Sequence, residues 1–225
     1  MPKHHNTSSS ITEHIINSFS TLLSTQTVLP NYPLHFCQTR STLLQWLSQI
    51  STRLSLSLET LHRAITLFDL YISSTSNLQV TNLDLKLSLI ACLSLASKLH
   101  EINANYNVFL TNNLLLNDHL TAVDLHEKEI EILKSIDYCV TSSNIYTFNS
   151  SLSNLCANVI HDEKMKAKFL YVNKCILQQY ILTKEALLLN PINSAIHIIN
   201  CTLSKFNESD LDKSNIVNSI LTIRN

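Results

Sequence analysis

The sequence predicts an all-α protein made of two tandem helical bundles, the second shortened, preceded by an N-terminal helix. Three observations predict it. Apolar residues recur at intervals of three and four along most of the chain, and no segment alternates convincingly with β-branched support. The 225 residues include no glycine and only four prolines, so the usual helix breakers are scarce. At that length the chain can bury two small cores, and 45% hydrophobic against 15% charged residues gives normal apolar content beneath a lean charged surface.

Residues 1–10 (MPKHHNTSSS) are polar and read as a frayed tail. Residues 11–24 put Ile15, Phe19, Leu22 and Leu23 on one helical face, which must lie against something. Pro30 and Pro33 then hold an extended linker, closing an N-terminal region of 1–38. The first bundle spans 39–141. Its helix near 40–53 repeats Leu43, Leu47, Ile50 and Leu54, and the next, near 58–73, repeats Leu61, Ala64, Ile65, Phe68 and Ile72. Thr81 with Asp84 three residues on caps a helix over 82–100. Leu83, Leu85, Leu87, Leu89, Ile90, Leu93, Leu95, Ala96 and Leu99 surround that helix on most sides, which assigns it the middle of the bundle. A short helix near 106–116 and a capped one from Thr121 to Ile136 complete five.

The pattern restarts in 142–225. Ile145, Phe148, Leu152, Leu155 and Val159 form one stripe, and a helix over 163–182 carries Phe169, Ile176 and Tyr180. Pro191 takes the favoured first position of a third helix, with Ile192, Ala195, Ile199 and Leu203. The last, near 209–223, shows Ile216, Ile220 and Ile223.

Composition removes several function classes. Phosphate-cradling loops, dinucleotide-binding turns and nucleophile elbows need glycine for close backbone approach or positive φ, so a kinase, a P-loop ATPase or an α/β-hydrolase is excluded. Left-handed turn positions are expected to fall to Asn103, Asn105, Asn190 and the pair Asn112–Asn113. The six cysteines are scattered, with no CxxC, and read as small buried thiols. Neither His100–Glu101 nor His126–Glu127 has a second histidine one turn on, so no zinc-protease motif forms, and no metal ligand set or catalytic group stands out. A net charge of −1 without long single-sign runs gives no mark of a nucleic-acid or membrane binder. The polar start carries no secretory pattern and no apolar stretch is long enough to span a membrane, so the expected compartment is reducing, nucleus or cytoplasm.

Four charges sit in unusual surroundings. Asp69 lies inside ITLFDLYI, where it either faces water or finds a partner such as Arg40, since desolvating an unpaired carboxylate is expensive. Lys98 ends the most apolar helix, where snorkelling and the carbonyl end of that helix are enough to explain it. Glu129, within EKEIE, reads in isolation as part of a solvated face. Trp46, the single tryptophan, reads as core.

Taken in order, these segments resemble the cyclin box. An arginine a few residues before a tryptophan (Arg40, Trp46) precedes an ETL helix bearing an aspartate (Glu59-Thr60-Leu61, Asp69). A central helix then ends Ala96-Ser97-Lys98 with Glu101, and Glu129 precedes Ile132-Leu133 and Ile136-Asp137-Tyr138. The likeness covers about a hundred residues; ILTKEALLLNPINSAIHIINCTL is similar to part of a second, shorter box. The resemblance implies a non-enzymatic regulatory subunit that needs no cofactor, binds a cyclin-dependent protein kinase as a heterodimer, and activates it in cell-cycle control. It implies an ion pair between Arg40 and Asp69, kinase main-chain contacts from Lys98 and Glu129, and apolar contacts from Leu95, Leu99, Ile130 and Leu133. The helix at 11–24 resembles the one that packs outside the boxes and touches the kinase. A transcription-associated cyclin, or a cyclin-fold adaptor that activates nothing, is the alternative. One departure concerns the patch that docks substrates or inhibitors around the motif MRAIL: Thr39-Arg40-Ser41-Thr42-Leu43 loses two apolar side chains there, leaving Leu43, Trp46 and Lys86 as a degenerate patch.

Overall fold

The structure is a computed structural model describing residues 36–75, 81–101 and 120–207. Every regular element among them is helical: α1 (Cys37–Arg53), α2 (Leu58–Ser74), α3 (Asn82–His100), α4 (Ala122–Ser135), α5 (Ile145–Val159), α6 (Glu163–Tyr180), α7 (Glu185–Leu188) and α8 (Pro191–Leu203). The helices expected over 11–24, 106–116 and 209–223 lie outside the described residues. The single turn of α7 has no counterpart in the sequence reading, because four residues are too few to show a period.

Two compact units divide the chain. One draws its described residues from Val28–Asn144 and Leu182–Leu188, the other from Ile145–Ile181 and Leu189–Asn225. In the first, α3 packs against α1, α2 and α4, and it is buried almost without interruption from Leu87 to Ser97. That is the central position its all-round apolar pattern demands. Ser57, Thr81 and Thr121 each accept a hydrogen bond from the backbone N–H three residues on, and Thr121 with Asp124 forms a full capping box.

In the second unit α8 packs on α5 and α6. Phe148, Leu152, Phe169, Ala195, Ile199 and Phe206 make its core, and the rings of Phe169 and Phe206 stand 6.1 Å apart. Through this core runs an uncharged chain: Asn149 donates to Asn173 Oδ1 at 2.7 Å, and Asn173 donates to Thr202 Oγ1 at 3.1 Å.

Two expectations are corrected. Asn190 takes no left-handed turn; it has φ −64° and N-caps α8, accepting from the Asn193 N–H. Pro191 forces its predecessor into the extended region, and this suits a cap. The left-handed positions among the described residues are Ser55, Asp137 and Tyr138. Ser55 and Asp137 each sit just past a helix end, where their N–H groups bond to Thr52 and Lys134 carbonyls and the next residues reach back to Ser51 and Leu133. Without glycine, whichever residue occupies that position must take the strained conformation. The cysteines are also less uniform than expected: Cys92 and Cys156 are buried, Cys139 is exposed, and the rest are half-buried. Burial and then the Asp69 charge push the Cys92 thiol well up.

Candidate functional site

The candidate site forms where the last turn of α3 meets the middle of α4. Lys98 Nζ lies 2.8 and 2.7 Å from the two carboxylate oxygens of Glu129. The Glu129 side chain is only 4% exposed, the Lys98 side chain 38%, so the solvated-face reading of Glu129 fails. His126 Nδ1 stands 3.7 Å from the same carboxylate. An ion pair this unequally buried holds its anion rigidly and leaves the ammonium facing outwards.

Apolar side chains accompany the pair on both helices. Leu99 is 46% exposed and Ile130 38% exposed. Leu133 is half-buried and Leu95 buried, so Leu95 acts as floor rather than surface. Leu95 and Leu99 stand one turn apart on α3, as do Glu129 and Leu133 on α4. The result is a polar pair set among partly exposed aliphatic groups.

Three residues that sequence reasoning did not assign hold the α3 end in place. Glu101 Oε1 accepts from the Ser57 N–H at 2.9 Å and from the Thr60 hydroxyl at 2.6 Å. It thereby supplies, from 44 positions away, the carboxylate that a capping box normally carries on its own third residue. The Thr60 hydroxyl and the Ser57 N–H hold the Glu101 carboxyl below its ordinary range. No local signal in the sequence points to it, because Ser57 already caps the helix by accepting from the Thr60 N–H and Glu101 lies far along the chain. His100 Nε2 lies 3.4 Å from Arg63 Nε, and its Nδ1 lies 3.5 Å from Glu59. Buried Arg63 also donates to the Ser142 carbonyl; desolvation lowers its affinity for the proton while Glu59 opposes that.

Arg40 and Asp69 are joined by a two-pronged pair, Nε to Oδ1 and Nη2 to Oδ2, each at 2.7 Å and both buried. This ties α1 to α2. On the other side of α2, Tyr71 donates to Glu131 at 2.5 Å, and burial followed by that hydrogen bond pushes its phenol up. His62 is buried in α2 and desolvation brings its pKa down to about 4. Of the degenerate patch, Leu43, Trp46 and Lys86 are all half-buried, so Trp46 is not a fully buried core residue. Among the described residues no three His, Cys, Asp or Glu side chains gather as a metal would require, and no helix is long and apolar enough to cross a membrane.

Residues 10–141 match the family model of the cyclin N-terminal domain. No curated protein sequence matches the chain. Among solved structures, a viral cyclin from herpesvirus saimiri superposes with a TM-score of 0.66 at 17% identity, covering 93% of this chain and 94% of that one. Identity that low speaks for the fold alone, but the family match takes in more than half of the residues. A central apolar helix ending in a fixed charge pair, inside a segment that fits the cyclin N-terminal domain throughout, leads to one conclusion: this chain belongs to the cyclin family.

Proposed function

We propose that the chain is a regulatory subunit that binds a cyclin-dependent protein kinase one-to-one and activates it, in the control of cell division, within nucleus or cytoplasm. The observation that carries this reading is the Lys98–Glu129 pair. A buried carboxylate and a half-exposed ammonium, 2.7 Å apart and flanked by Leu99, Ile130 and Leu133, are suited to main-chain groups of a partner helix. Water competes poorly for such groups once an interface closes over them. The pair is pre-organised by α3 and α4, so little ordering is needed on binding.

Activation would then follow by population shift. A kinase resting with its regulatory helix turned outwards lacks the internal Lys–Glu contact that orients ATP. A rigid surface that fits only the inward position draws the equilibrium that way. Reversing a 1:99 balance takes about 5.5 kcal/mol of differential affinity, within reach of a standard-sized interface.

The test is capture of a cyclin-dependent kinase by the purified chain, read as a one-to-one complex with raised phosphorylation. Lys98→Ala with Glu129→Ala is expected to abolish capture with helicity unchanged, each truncation costing roughly 2–5 kcal/mol of binding. Undiminished capture by the double variant refutes the assignment of this surface.

A further inference from the structure

The second unit carries an unclaimed surface of another kind on α6. Lys164, Lys168, Tyr171, Lys174 and Gln178 are all exposed; spaced four, three, three and four apart, they line one face of the helix. Phe169, Asn173 and Leu177 on the opposite side are buried. Tyr171 is 69% exposed, an aromatic ring standing in solvent between lysines.

Among the described residues these charges are not neutralised. Of the two acids at the start of the helix, Asp162 accepts from the Met165 N–H and Glu163 lies 3.5 Å from Lys166. Among the described residues Lys164, Lys168 and Lys174 enter no ion pair. Lys164 and Lys168 stand one turn apart, a like-charge spacing that works against an isolated helix. Lys168 Nζ sits 5.3 Å from the ring centroid of Phe206, which restrains one ammonium on the surface. The described part of the unit sets Lys164, Lys166, Lys168, Lys174 and Lys205 against Asp162 and Glu163 alone.

We propose that this face of α6 docks an acidic segment of a partner protein, its carboxylates meeting Lys164, Lys168 and Lys174 while Tyr171 packs on an apolar residue between them. The stripe runs about 20 Å, the reach of six or seven extended residues. Charge complementarity chooses the occupant. A nucleic acid is the weaker fit, because the whole chain has a net charge of −1 and the basic groups form one narrow line. The surface belongs to a different unit from the Lys98–Glu129 pair, so the proposal stands independently of kinase binding.

The experiment uses the full chain and a fluorescent decapeptide of glutamates around two central leucines, followed by anisotropy at low salt. Lys164→Gln with Lys168→Gln is expected to weaken binding about tenfold or more, and Tyr171→Ala to weaken it several-fold. Arg53→Gln with Lys134→Gln, which removes equal charge from exposed positions of the other unit, is expected to leave binding nearly unchanged. Thermal midpoints like the parent's establish that the variants fold. Equal losses from the two double variants, equal binding of a peptide with glutamine in place of glutamate, or no binding at all overturns the proposal. So does displacement of the peptide by a single-stranded oligonucleotide at lower concentration than by unlabelled peptide.

Discussion

In the first unit the buried polar side chains include Arg40, His62, Arg63, Asp69 and Glu129; in the second they are Asn149, Ser153, Asn173, Ser194 and Thr202. The first also holds all three left-handed residues among those described, while the second has none. Both units are helical bundles with apolar cores of the same kind, so the fold does not require the difference. Buried charges carry a desolvation penalty and give direction in return, because a carboxylate orients its partner more strictly than a methyl group does. They occur in the unit that carries the Lys98–Glu129 pair. The second unit joins its helices with amides and hydroxyls, which keep their bonds whatever the pH.

The largest expected effect comes from breaking a charge pair. Asp69→Ala removes the two-pronged contact to buried Arg40 and should destabilise the chain by about 3–5 kcal/mol in urea unfolding. Replacing both residues by leucine should recover much of that loss. If the single and the double variants lose the same amount, the pair does not have the charged character assigned to it.

Acid sharpens the comparison further. His62 has a pKa of about 4 in the fold against an ordinary 6.5, so the unfolded chain takes up its proton first as the pH falls. Its contribution is complete above pH 6.5 and drains away between there and about 4, amounting to about 3 kcal/mol. His62→Leu should flatten the stability profile across that interval. Glu101, whose carboxyl is held low, stabilises above its ordinary range and loses that contribution at lower pH than His62. A variant that keeps the parent's slope would assign the acid sensitivity to other groups.

The neutral network predicts a smaller, pH-independent effect. Asn173→Leu strands the Asn149 amide and should cost about 1–3 kcal/mol, by the same amount at pH 5 and pH 7. Smallest of all, Ser55→Gly relieves a left-handed residue at φ 53° and should stabilise by about 1 kcal/mol. A destabilising Ser55→Gly would mean that the serine side chain makes a contribution larger than the backbone strain.

Local features were legible in the sequence and long-range ones were not. Thr81 with Asp84, Thr121, and Pro191 at a helix start are each encoded within one turn, and the structure has all three. The central role of α3 follows from apolar residues on most sides of it. The Arg40–Asp69 pair, 29 positions apart, is one of two readings that the residues allow and the one that the family resemblance implies, because nothing in ITLFDLYI says which way Asp69 turns. The contacts of Glu101, His100 and Arg63, and the Asn149–Asn173–Thr202 chain, cross between helices with no spacing rule to betray them. Asn190 misled because asparagine serves either end of a helix, and only the proline after it decides which.

The carboxylate that Glu101 lends to the first turn of α2 has a kinetic consequence. A helix that caps itself can begin forming alone, but this one receives part of its start from a residue beyond the far end of the next helix. Closing that loop carries an entropy term that a local cap avoids. The opening turn of α2 and the closing turn of α3 should therefore fray as one cooperative patch, and amide exchange at Ser57 and Thr60 should report the mobility of the Lys98 end.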